Sequence, residues 1–103
     1  MSKLVELAEK EILRQSILEI AEQSGTDGAS VILIKKALSK TGLKPSDEQL
    51  KRGISYLEDK GLVSVKHIAN RALGIERDMV SLTSKGMDVL DGAVEEAGIG
   101  AGD

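Results

Sequence analysis

His67 is the only histidine among 103 residues, and there is no cysteine. An imidazole acts as general acid or base when a pocket poises it, and metal capture needs several ligands converging on one point. A lone histidine following the alternating residues Val63 and Val65 meets neither condition and reads as a structural residue on a strand. Without thiols, disulfides, thiolate metal sites and cysteine nucleophiles are excluded. Asp88 and Asp91 read as solvent-facing helix carboxylates. The eleven glycines form neither a phosphate loop closing on Gly-Lys-Ser/Thr nor a dinucleotide fingerprint after a strand. No enzyme is expected, and no cofactor or metal.

What remains is the chemistry of cations. The formal net charge is −3, but charge is polarised along the chain. Residues 30–86 hold eleven Lys and Arg against six Asp and Glu, a local balance of +5; the remainder holds three against eleven, or −8. A basic face on an acidic protein suits a polyanion better than the total implies, although Lys and Glu also simply solvate helices.

The elements that must position these cations follow from composition and periodicity. The length is that of one domain, and 41% hydrophobic content is enough for one core. With no Phe or Trp and only Tyr56, that core is expected from Leu, Ile, Val, Met and Ala, as helices packed on a small sheet. No stretch approaches the roughly 18 apolar residues of a membrane span, and Lys3, Glu6 and Glu9 interrupt any leader-like run. A cytoplasmic protein is expected.

Leu4, Ala8, Ile12, Ile17, Ile20 and Ala21 recur at helical spacing and predict one long first helix ending near Gln23, before a turn over residues 24–28. A second helix is expected from the cap Ser30 to Lys40, although Val31 to Ile34 also fits a short buried strand. Pro45, Ser46 and Gln49 predict a capping box opening a third helix with Leu50, Ile54 and Leu57 inward, closed by a left-handed Gly61. Period-2 alternation then places strands at Val63 and Val65 and at Val80 and Leu82, joined by a loop over residues 69–77. A last helix from Thr83 or Ser84 carries Met87, Leu90 and Val94. Residues 1–97 form the expected domain, and the glycine-rich residues 98–103 a disordered tail.

Helix, helix, helix, strand, loop, strand, helix is the order of the winged helix-turn-helix superfamily, and two motifs resemble it. Tyr56-Leu57-Glu58-Asp59-Lys60-Gly61-Leu62-Val63 is similar to the superfamily's passage from recognition helix to first wing strand. Leu82-Thr83-Ser84-Lys85-Gly86 resembles its approach to the last helix. Over residues 13–99 the chain also resembles small winged-helix proteins of Mu-like phages and prophages, with a longer wing loop. The resemblance implies an α+β, mainly helical fold: a three-helix core, a two-stranded wing and a C-terminal helix.

It also implies a use for the cations. Opposite Leu50, Ile54 and Leu57, the third helix displays Glu48, Arg52, Ser55 and Asp59, flanked by Lys51 and Tyr56. In a major groove, Arg52 is expected to donate to guanine, Ser55 to a base or phosphate, and Lys51 and Tyr56 to phosphates. Lys35, Lys36 and Lys40 on the second helix, Lys44 in the turn, and Lys66, Arg71 and Arg77 around the wing are expected to hold flanking phosphates. Glu48 and Asp59 oppose this by repelling phosphate, although a glutamate can also accept a hydrogen bond from cytosine. Duplex DNA is the expected partner and a small transcriptional regulator the expected role; the alternative is a winged-helix protein-interaction module without DNA binding. Leu4 and Leu7, with Val89, Ala93 and Val94, are expected to form a homodimer seam between first and last helices.

Overall fold

In the computed structural model, which describes residues 2–99, a hydroxyl opens each of the four α-helices. Ser2 accepts from the Leu4 amide to start α1 (Lys3–Gln23), and Ser30 from Leu33 to start α2 (Val31–Lys40). Ser46 and Gln49 exchange both bonds of a capping box at the start of α3 (Asp47–Asp59), and Thr83 accepts from Gly86 to start α4 (Ser84–Leu90). Each bond satisfies an amide that the helix itself cannot.

The end of α3 is equally defined. Leu62 N–H donates to Leu57 C=O and Gly61 N–H to Glu58 C=O, the paired bonds of a Schellman cap, with Gly61 at φ +75°. The cap turns the chain into β2 (Val63–Asn70), which pairs antiparallel with β3 (Ile75–Leu82) in full register from Val63↔Leu82 to Asn70↔Ile75. A two-residue strand, β1 (Ala29–Ser30), pairs with the other edge of β3, giving the sheet order β1-β3-β2.

One core unites these parts. Ile17 and Leu18 of α1, Ile34 and Leu38 of α2, Leu50, Ile54 and Leu57 of α3, and Leu62, Val63 and Val80 are buried together. Thr83 also donates to Gly61 C=O at 2.6 Å, joining the start of α4 to the end of α3. Gly86 allows that approach: a Cβ there would lie 2.2 Å from the Leu62 carbonyl oxygen.

Several expectations change. The loop over residues 69–77 is mostly strand; only a 3-10 turn (Arg71–Leu73) and a left-handed Gly74 reverse the chain, with Asn70 Oδ1 accepting from Leu73 N–H. The hairpin projects past the core, so neither face there shows alternating burial, and the backbone ladder holds it together with the cross-strand contacts of His67. The first helix bears two apolar stripes instead of one. Residues 2–10 are exposed on every face, while Ile17 and Ala21 are buried, and Ile17 sits roughly 140° around the helix from Ile12.

The last helix stops at Leu90, before Val94, as the chain turns through Gly92 at φ +78°. Val89 is 4% exposed and belongs to the core, so it leaves the expected dimer seam. The expected tail is partly ordered: Ile99, 8% exposed, joins the core, and Gly98 C=O accepts from Arg14. Residues 100–103 of that tail lie outside the described residues.

Candidate nucleic-acid interface

With Leu50, Ile54 and Leu57 inward, the opposite side of α3 forms a shallow groove lined by Glu48, Lys51, Arg52, Ser55, Tyr56 and Asp59. The two caps hold this helix at both ends, and core contacts fix its rotation, so the polar face is presented by a rigid element. Lys51, Arg52, Ser55 and Tyr56 are therefore brought together as the spacing predicts. Arg52 is not free there: its Nη2 donates to Glu48 Oε1 at 2.6 Å, one helical turn back.

Tyr56 is engaged within the chain. Its hydroxyl donates to Ala97 C=O at 3.0 Å, and the Arg14 guanidinium lies 3.7 Å above its ring. Together with the Arg14 bond to Gly98 C=O, this ties the C-terminal segment to α1 and α3. Lys85 supports the same corner, donating to Lys60 C=O and pairing with Glu96. Arg14, Lys85 and Glu96 were not singled out from sequence; their partners lie far along the chain, and no local spacing announces them.

The flanking cations lie outside the α3 groove. Lys35 is ion-paired with Asp47 across the turn between α2 and α3. Lys36, Lys40 and Lys44 are exposed nearby and make no ion pair among the described residues. On the wing, the pairing register sorts charge by face. Lys66 and Arg77 occupy the face turned away from the one that carries Val63, Val65, Val80 and Leu82 into the core, with Ile68 and Met79 between them. Arg71 stands at the tip. The α3 groove thus contains none of the wing cations.

His67 lies on the other wing face, the one continuous with the core. Its Nδ1 is 2.6 Å from Asp78 Oδ1 and its Nε2 3.2 Å from Glu76 Oε1, both on the facing strand. A neutral imidazole donates from only one nitrogen, so two carboxylate partners favour the doubly protonated ring. The hydrogen bond to Asp78 raises the His67 pKa above its ordinary 6.5; desolvation opposes it, and the charges of Asp78 and Glu76 add to the rise. Stability from this pairing is fully present below about pH 6.5 and is lost as pH rises through the folded-state value. Proton NMR is expected to show His67 titrating above 6.5 and returning toward it in Asp78→Asn; an unchanged midpoint in that variant would refute the pairing.

No family model matches the chain, and no curated protein does. Solved structures do. A PadR-like transcription factor from Bacteroides fragilis superposes with a TM-score of 0.74 at 20% identity, covering 89% of this chain and 85% of that one. A PadR family transcriptional regulator from Eggerthella lenta superposes at 0.65 and 19% identity, covering 87% and 74%. The likeness establishes the fold expected from the order of elements, a winged helix of α+β class. Among the described residues, no helix is long and apolar enough to cross a membrane.

Proposed function

We propose that the chain is a small winged-helix transcriptional regulator that binds duplex DNA, with α3 in the major groove and the wing beside it. The observation that carries this reading is the outward face of α3. A doubly capped helix, fixed by its apolar side, presents Lys51, Arg52 and Ser55 to solvent. Arg52 offers planar donors for guanine O6 and N7, while Lys51 and Ser55 suit phosphate and base edges. Lys36, Lys40 and Lys44 on one side and Lys66, Arg71 and Arg77 on the other supply flanking phosphate contacts, and Lys35 joins them on release from Asp47. The two superposed structures, both described as transcription regulators, support the reading. The setting that goes with this reading is the bacterial cytoplasm, with a phage-related origin as the resemblance to small winged-helix proteins of Mu-like phages implies. The role needs no catalysis, metal or cofactor.

The regulator acts as a homodimer. Leu4, at 78% exposure, with Val5, Leu7, Ala8 and Ile12, lies on the exposed N-terminal part of α1. A second copy covering this stripe, with the exposed Ala93 and Val94 as further members of the seam, removes exposed apolar surface and sets two α3 helices on one duplex. Sedimentation velocity is expected to show a dimer; a monomer at high concentration would remove this part of the proposal. The same stripe favours the alternative of a protein-interaction module that ignores DNA.

Titration against mixed duplex DNA at rising salt separates the two readings. A regulator using four to six cations loses on the order of 100- to 1,000-fold in affinity between 50 and 200 mM salt. No binding at low salt would leave the interaction module standing.

A further inference from the structure

We propose that Glu48 is a specificity-determining residue: joined to Arg52, it forms an acceptor–donor couple that selects a G·C pair and restrains Arg52 from binding phosphates indiscriminately. The proposal rests on the DNA-binding reading above and assigns a role to a carboxylate that otherwise counts against it.

The geometry supplies the case. Glu48 and Arg52 stand one turn apart on the exposed side of α3, their side chains 72% and 78% accessible, with Glu48 Oε1 and Arg52 Nη2 2.6 Å apart. Neither side chain is needed by the core, and both line the groove with Lys51 and Ser55. The pair therefore advances toward a duplex as one hydrogen-bonded unit, an acceptor beside a fork of donors.

The edge of a G·C pair has the complementary order. Guanine presents the acceptors N7 and O6, and cytosine presents the N4 amino donor next to O6. The two heads are hydrogen-bonded to each other, so they reach the groove side by side. Arg52 keeps N–H groups free for guanine after giving one to Glu48, and Glu48 keeps an oxygen for cytosine. An A·T pair serves the couple poorly, because the adenine amino group lies beside N7, whose lone pair repels a carboxylate, and thymine offers only an acceptor and a methyl group.

Elsewhere on the duplex the same carboxylate is repelled by the phosphates, and it draws Arg52 away from them. Glu48 therefore lowers affinity wherever the G·C edge is missing, which widens the ratio of specific to non-specific binding.

The test begins with selection of duplexes from a random pool by the unaltered chain, followed by substitution of each selected pair. One G·C position is expected to resist change to A·T by roughly 5- to 150-fold in affinity. Glu48→Ala should keep the fold and bind random duplex more tightly, yet lose most of that discrimination. Glu48→Gln, which retains an acceptor without the charge, should keep part of it while non-specific binding rises. Equal discrimination and equal random-duplex affinity in Glu48→Ala and the unaltered chain would overturn the role of Glu48 alone. Failure of the unaltered chain to bind any duplex would overturn this role together with the DNA-binding reading.

Discussion

The double substitution Lys51→Glu/Arg52→Glu is expected to weaken duplex binding at least 100-fold while leaving the fold in place. Both side chains are exposed on α3, and neither contributes to its caps or to the core. The loss has two sources. A bidentate arginine–guanine contact discriminates by about 1–3 kcal/mol, and each phosphate contact adds roughly 0.9 to the slope of log affinity against log salt. Reversal replaces both attractions with repulsion. The change in stability should stay near 0.5 kcal/mol, since it removes only the exposed i,i+4 pair with Glu48 and sets like charges there. Affinity is read by fluorescence anisotropy and folding by circular dichroism. Unchanged affinity in a folded variant would remove α3 from the interface.

Gly86→Ala carries the largest expected effect on stability. In an ordinary helix this substitution stabilises, by about 1 kcal/mol, because alanine has the better propensity. Here the added methyl carbon meets the Leu62 carbonyl oxygen at 2.2 Å and Leu82 Cδ1 at 2.7 Å. The first neighbour is backbone held in the Schellman turn and cannot swing aside, so α4 must lift from the end of α3. Net destabilisation of about 1–3 kcal/mol is expected, lowering Tm by about 5–20 °C in a domain of this size. A rise in Tm, as propensity alone predicts, would contradict the docking of α4 against Leu62.

These two substitutions mark what was legible in the sequence. Features encoded by neighbouring residues were readable: the capping box of Ser46 and Gln49, the turn of Gly61 onto Leu62, and Thr83 followed by Gly86 each fix a backbone bond within a few positions. The face of α3 followed from the inward spacing of Leu50, Ile54 and Leu57. Features that depend on distant partners were not readable. Residues 29 and 30 are too few to show a period, yet they pair with Val80 and Met79. The outer half of the hairpin lacks a buried face, so its alternation carries no apolar signal. Ile99 looked like part of a glycine-rich tail, and only the bonds from Arg14 and Tyr56 to its neighbours reveal that the chain returns to the core.

The candidate interface divides in the same way. Lys51, Arg52 and Ser55 were placed on one face by helical geometry alone. The engagement of Tyr56 with Ala97, of Lys35 with Asp47 and of His67 with two carboxylates required the fold. Register also separates Lys66 and Arg77 from the His67 cluster on opposite wing faces, whereas the linear sequence shows only mixed charge.

The central claim is that α3 and the wing meet duplex DNA. Mapping backbone amide shifts of the labelled chain during titration with duplex at low salt tests it most directly. The account predicts shifts concentrated on Lys51, Arg52 and Ser55, with further changes at Lys44, Lys66 and Arg71, and little change along the exposed stripe from Leu4 to Ile12. Shifts confined to that stripe, or none at saturating duplex, would contradict it.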